Sequence, residues 1–145
     1  MTKEGKFIFC VAATIENPQG EILLVKRSPG NFPEKIWDVV GGKVESLENP
    51  FDALLREIKE ETGIDEIKII KAINDFYWFT SESSSYIIGM NFWCKTKQLN
   101  VQLSDEHIEY KWCQLDEALK ISTHQTVIRC IEKFIVEKKR LELLK

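Results

Sequence analysis

No stretch of this 145-residue chain comes near the roughly 20 consecutive apolar residues that a membrane-spanning helix needs. Its four cysteines, Cys10, Cys94, Cys113 and Cys130, are scattered, with no CxxC pair and no histidine at ligand spacing. A zinc site and a disulfide framework are therefore both disfavoured, and free thiols suit the cytoplasm. Proline is scarce and confined: Pro18, Pro29, Pro33 and Pro50 are all four of them. Internal repeats, low-complexity tracts and Gly/Ser linkers are missing, so no domain boundary is expected. Residues 1–145 read as one domain, long enough for a real core. Positive charge is short as well. The net charge is −3, and residues 124–145 hold six Lys/Arg against three Asp/Glu, which leaves 14 basic and 20 acidic residues in the remainder. An acidic body argues against a nucleic-acid groove and fits a site that gathers cations.

What is present is patterned. The apolar run of "KFIFCVAATI" follows Lys3 and Lys6 but is β-branched and aromatic, and "NPQG" and a second apolar run come soon after it. It reads as the first strand of a hairpin, not as a leader. Residues 6–15 and 21–26 form that hairpin around Asn17-Pro18-Gln19-Gly20. A loop with Pro29, Gly30, Asn31 and Pro33 comes next, then a short strand at 37–40 and a Gly-Gly loop. Asn49 can cap a helix whose first turn holds Pro50, and Gly63 is placed to end it in a left-handed conformation. Residues 67–80 and 85–96 read as two long strands joined near Ser81–Ser85, and 109–115 as a third. A closing helix from about His124 carries an apolar stripe of Val127, Ile131, Phe134, Ile135 and Leu141. The fold class is α/β, a sandwich with a mixed sheet between helices.

The helix at 50–62 breaks a local rule. Its Phe51, Leu54, Leu55, Ile58 and Thr62 fall within one arc of about 100°, the face expected to pack. Glu57, Glu60 and Glu61 fill another arc, with Ala53 among them and Glu48 just upstream. Like charges at these spacings cost about 0.2–0.5 kcal/mol per pair, and the C-terminal half of a helix is already negative. A solvated face is the commonest fate of such a stretch. Here one arginine, Arg56, cannot neutralise the set. A divalent cation would offset repulsion and dipole together, and Mg²⁺ takes hard oxygen ligands of this kind, completed by water and phosphate. The helix reads as a preassembled metal platform.

Residues 42–64 match the Nudix box, G-x5-E-x7-R-E-U-x-E-E-x-G-U, with U aliphatic. Gly42, Glu48, Arg56, Glu57, Ile58, Glu60, Glu61, Gly63 and Ile64 occupy all nine defined positions. "WDVVGGKVE" before them and "DEHIEYKWCQLDE" further on also resemble Nudix sequence, so the likeness spans essentially the whole chain. The resemblance implies hydrolysis of a nucleoside diphosphate linked to a further group, with Mg²⁺ or Mn²⁺. It makes Glu57 and Glu61 the leading metal ligands, Glu60 the next, and Glu48 a further ligand or a hydrogen-bond partner. Arg56 would orient a glutamate rather than touch substrate, and Gly41 and Gly42 would let the backbone approach the phosphates. For the base that activates water, Glu57 comes first, with Glu106 and Glu109 as alternatives on the late segment. His107 is expected to be a loop residue near the site, not a ligand.

Weaker signals concern substrate. Lys26 and Arg27 could reach a phosphate or simply end an exposed strand. Phe32 could stack a base, and Trp37 is expected to pack. The run Phe76-Tyr77-Trp78-Phe79 should bury about half its rings. Two departures from the commonest family form are Val40, where many members have proline, and Leu47, where many have glycine. The motifs of ADP-ribose, coenzyme A and dinucleoside polyphosphate hydrolases are absent or poorly matched. The expected substrate is a (deoxy)nucleoside triphosphate, cleaved to monophosphate and pyrophosphate. ADP-ribose or nucleotide-sugar hydrolysis, dinucleoside polyphosphate hydrolysis, and a non-catalytic nucleotide-binding module are the alternatives. A prenyl diphosphate isomerase would need a catalytic cysteine and additional segments. Monomer and homodimer both remain open.

Overall fold

The computed structural model describes residues 6–80 and 85–144. The chain runs β1 (Phe7–Glu16), β2 (Ile22–Arg27), β3 (Trp37–Asp38), β4 (Val40–Lys43), α1 (Pro50–Thr62), β5 (Lys68–Thr80), β6 (Tyr86–Lys95), β7 (His107–Cys113), α2 (Leu115–Ile121) and α3 (Gln125–Leu143). The sheet order is β3-β2-β1-β6-β5, with β4 on β1 and β7 on β2. β1 and β6 run parallel while the other pairs are antiparallel. The sheet is mixed and lies between helices, the expected α/β sandwich.

Side chains on successive strand residues point to opposite faces, and β1 and β2 use both. Val11, Ala13 and Ile15 of β1, with Leu23 and Val25 of β2, join the core under α1, beside Leu54, Ile58 and Phe92. The residues between them, Ala12, Ile22 and Leu24, join the second core under α2 and α3, with Trp93, Ile131 and Phe134. That double burial changes the expected hairpin. β1 and β2 share a single pair, Glu16↔Ile22, because each central strand takes other neighbours on both edges. The turn holds nonetheless, since Asn17 Oδ1 accepts the N–H groups of Gln19 and Glu21.

Three further expectations are corrected. The Gly-Gly segment is strand, not loop: Gly41 and Gly42 pair with Ala12 and Val11. The late strand ends at Cys113, and Leu115 starts α2, whose first turn holds Asp116 and Glu117 as the helix dipole favours. On α1, Phe51 and Leu55 are exposed, while Ala53 and Glu61 are buried with Leu54, Ile58 and Thr62. The physical reason lies beneath the helix. Gly41 and Gly42 remove side-chain bulk from β4, so α1 settles with part of its carboxylate face against the backbone. Most of the expected junction between the long strands, residues 81–84, lies outside the described residues. The caps of α1 are as read: Asn49 accepts from the Asp52 N–H, and Gly63 is left-handed at φ 72°.

Candidate active site

Arg56 organises the outer half of the glutamate cluster. Its Nε and Nη2 grip both oxygens of Glu48 at 2.8 and 2.9 Å, and its Nη1 reaches Glu57 Oε1 at 2.7 Å and Glu60 Oε2 at 3.3 Å. Nη2 also donates to the Lys43 carbonyl, tying the helix to the end of β4. This fork holds the Glu48 carboxyl down at about 2 and raises Arg56 in return. Both Glu48 oxygens are thus engaged by Arg56. Glu60 stays at the rim, with its side chain more than half exposed.

Glu57 and Glu61 point inward and have less support. The Glu57 carboxylate lies over Gly42 so closely that a Cβ there would meet it at 2.3 Å. That is a cradle only glycine leaves open. Burial raises the Glu57 carboxyl against the opposing pull of Arg56. Glu61 is 3% exposed, and its Oε1 accepts the Gly41 N–H at 3.2 Å. Burial, with Glu57, Asp38 and Glu106 nearby, pushes its carboxyl up to about 9 despite that bond. His107 faces it, with Nδ1 3.6 Å from Glu61 Oε2. Contrary to expectation His107 is no loop residue: it opens β7 and is buried, and burial followed by Arg27 lowers it to about 4.

Among the described residues, no three His, Cys, Asp or Glu side chains converge as a ready chelating set. The donors still fit a hard cation. They are carboxylate oxygens, with the Glu57 and Glu61 groups lying against backbone, and Mg²⁺ characteristically takes one or two such groups and leaves the rest to water and phosphate.

Beside Glu61 opens a cavity of about 380 Å³, lined by Gly41, Gly42, Arg27, Phe32, Tyr77 and Phe79 among others. Arg27 is not a free cation at a strand end. It donates to Asn31 Oδ1 at 2.8 Å and to the Phe32 carbonyl at 3.0 Å, and pairs with Asp38 at 3.4 Å. It thus shapes the loop that presents the half-exposed Phe32. Lys26 lies over the Trp37 ring instead. The exposed Glu106 is set by its backbone, whose carbonyl accepts from Ser28 and Asn31. Glu109 is also exposed and stands opposite Lys26 in the ladder.

Sequence reasoning missed Asp38, His124 and Thr126, which also line the cavity; Asp38 is raised by burial against the pull of Arg27. Tyr77 and Phe79 were signalled by strand alternation, which turns them in and leaves Phe76 and Trp78 about half exposed.

Residues 6–134 match the NUDIX domain. A CTP pyrophosphohydrolase of Escherichia coli (strain K12) is 33% identical over 130 residues, which cover 90% of this chain and 93% of that protein. An asymmetrical bis(5'-nucleosyl)-tetraphosphatase of Caenorhabditis elegans is 29% identical, over 79% of this chain and 82% of its own. The crystal structure of a MutT protein from Methanosarcina mazei Go1 superimposes with a TM-score of 0.83 at 31% identity, covering 95% of this chain and 99% of that one.

Proposed function

The chain belongs to the Nudix family, and from that premise we propose that it hydrolyses a (deoxy)nucleoside triphosphate to the monophosphate and pyrophosphate. The observation that carries this is the pair Glu57 and Glu61, held against the Gly41–Gly42 backbone, with Glu61 on the wall of a cavity of about 380 Å³. The E. coli relative, a CTP pyrophosphohydrolase, supports the triphosphate reading.

In this reading Glu57 and Glu61 hold Mg²⁺ or Mn²⁺, with Glu60 at the rim. When bound, the cation supplies Lewis acidity toward phosphoryl oxygens and a water of lowered pKa. Arg56 fixes the Glu57 carboxylate through Oε1, and Glu48 fixes Arg56. Glu57 is the first candidate to accept the proton of the attacking water, and Glu106 the second. Gly41 and Gly42 allow close approach of the phosphates. Arg27 sets the loop from which Phe32 can stack a base beside Tyr77 and Phe79. Water oxygen bonds to phosphorus, the anhydride oxygen leaves with pyrophosphate, and geometry does much of the work.

The acidic body suits free nucleotide rather than nucleic acid. α3 spends its apolar stripe covering the sheet, so that stripe does not require a dimer; we take the protein to act as a monomer or homodimer. Among the described residues no helix is long and apolar enough to cross a membrane, and we place the activity in the cytoplasm. The C. elegans relative favours dinucleoside polyphosphates as the second substrate class. A panel of triphosphates, dinucleoside polyphosphates and nucleotide sugars with Mg²⁺, read by product analysis, tests the choice. Monophosphate plus pyrophosphate from triphosphates is expected. Inert triphosphates beside rapid cleavage of ADP-ribose or a nucleotide sugar would sink it.

A further inference from the structure

One buried group facing Glu61 has no part in the chemistry above. The His107 side chain is 1% exposed, and its Nδ1 stands 3.6 Å from Glu61 Oε2. Among the described residues, the buried side-chain polar atoms without a hydrogen-bond partner are Asn91 Oδ1, Ser104 Oγ and His107 Nδ1. Buried polar atoms are nearly always partnered. This orphan stands just beyond hydrogen-bond reach of a carboxylate oxygen.

The distance is too long for a hydrogen bond, and closing it takes roughly half an ångström. The imidazole is well placed to wait there. Its backbone N–H donates to the Ser104 carbonyl, and Arg27 stands opposite it on β2. The preceding carbonyl, that of Glu106, is held by Ser28 and Asn31. Glu61 Oε1 already has its donor in the Gly41 N–H. A second donor on Oε2 would leave the carboxylate a single orientation, with its remaining lone pairs turned to the site.

We propose that His107 is a positioning residue whose Nδ1–H donates to Glu61 Oε2 when Glu61 binds a cation. The proposal rests on the reading of Glu61 as a cation ligand. Partners that orient a ligating group typically change metal affinity 10–100-fold when removed.

The test is Mn²⁺ binding without substrate, by titration calorimetry, on the folded full chain. His107→Leu should weaken Mn²⁺ binding about 10–100-fold with an unchanged melting curve in EDTA. His107→Asn, whose amide nitrogen occupies nearly the place of Nδ1, should restore most of the affinity. In a Glu61→Gln background His107→Asn and His107→Leu should bind alike. Should the leucine variant fail to fold, His107→Gln, with its amide one carbon further out, takes its place with the same expectation. Wild-type affinity in the leucine or glutamine variant overturns the role. So does equal loss in the asparagine and leucine variants, which points to direct ligation or a structural role. If the wild type itself binds no Mn²⁺, the cation reading of Glu61 fails and this proposal with it.

Discussion

Two glutamates of this protein are buried to the same degree and treated in opposite ways. Glu16, 4% exposed, ends β1 and has both oxygens answered from within the chain, by Lys138 of α3 and by the Trp93 indole N–H. Glu61, 3% exposed, receives one backbone N–H and faces an imidazole that does not reach it. Nearby at the Glu16 end, Glu137 lies between Lys71 and Arg140, which hold its carboxyl down at about 2. Burial alone therefore does not fix how a carboxylate is partnered. The distinction is whether the chain supplies the countercharge. At Glu16 it does; at Glu61 it supplies one backbone N–H and no cation within bonding distance among the described residues.

The largest way to break this contrast is Glu61→Gln. It should lower kcat by about 10²–10³-fold or more, the scale for losing one preorganised charge-stabilising group. The metal-free fold should be as stable as before or slightly more so. Steady-state rates and melting in EDTA read both; a large drop in melting temperature with activity kept would make Glu61 a second Glu16.

The mirror experiment is Lys138→Met. Removing one partner of a buried pair costs about 3–5 kcal/mol. Because a quarter of Lys138 is exposed, about 2–3 kcal/mol is the fairer figure, a fall of roughly 5–10 °C. The kcat of the folded protein should be untouched. Denaturant unfolding and rates below the transition check it.

A subtler effect is in protons. The Glu61 carboxyl stands near 9 against an ordinary 4.5, so between these values the folded state binds the extra proton. Stability of metal-free protein should therefore decline as pH rises through that window. Cation binding near neutral pH should release up to about one proton. Calorimetry in buffers of different ionisation enthalpy would show it, and Glu61→Gln should abolish it.

Smallest is Leu47→Gly, which touches neither carboxylate. Leu47 is fully exposed at φ 65°, a conformation that costs a non-glycine residue about 1–2 kcal/mol. After the unfolded-state entropy of glycine is set against it, about 0.5–1 kcal/mol of stabilisation should remain. A melting temperature that fails to rise would show that the loop between β4 and α1 holds this conformation at no cost.

Much of this was legible in the residues because it is local. The caps of α1, the stripe on α3 and the alternation of Phe76, Tyr77, Trp78 and Phe79 in β5 depend on near neighbours and on period. So does the crowding of Glu57, Glu60 and Glu61 on one helix. What escaped depends on distant partners. Nothing near Ala53 or Glu61 says that two glycines 11 to 20 positions upstream will draw them down onto β4. His107 was read as a loop residue because its burial comes from α1 and β2, neither of which adjoins it in sequence. Asp38 looked like any strand residue because the Arg27 that pairs with it lies 11 positions upstream. The splayed hairpin has the same origin, since β1 prefers a partner that the turn does not supply.

That partner has a consequence in time. The ladder of β1 with β6 runs from Phe7 opposite Tyr86 to Glu16 opposite Lys95, so β1 waits until every element from β2 to β5 has been made before its longest pairing can begin. Contacts this far apart in sequence close slowly. α1, whose caps and turns are local, can form well before then. The glutamates are thus assembled on their helix while β1, the strand that pairs with the β4 backbone beneath them, is still waiting for its other neighbour.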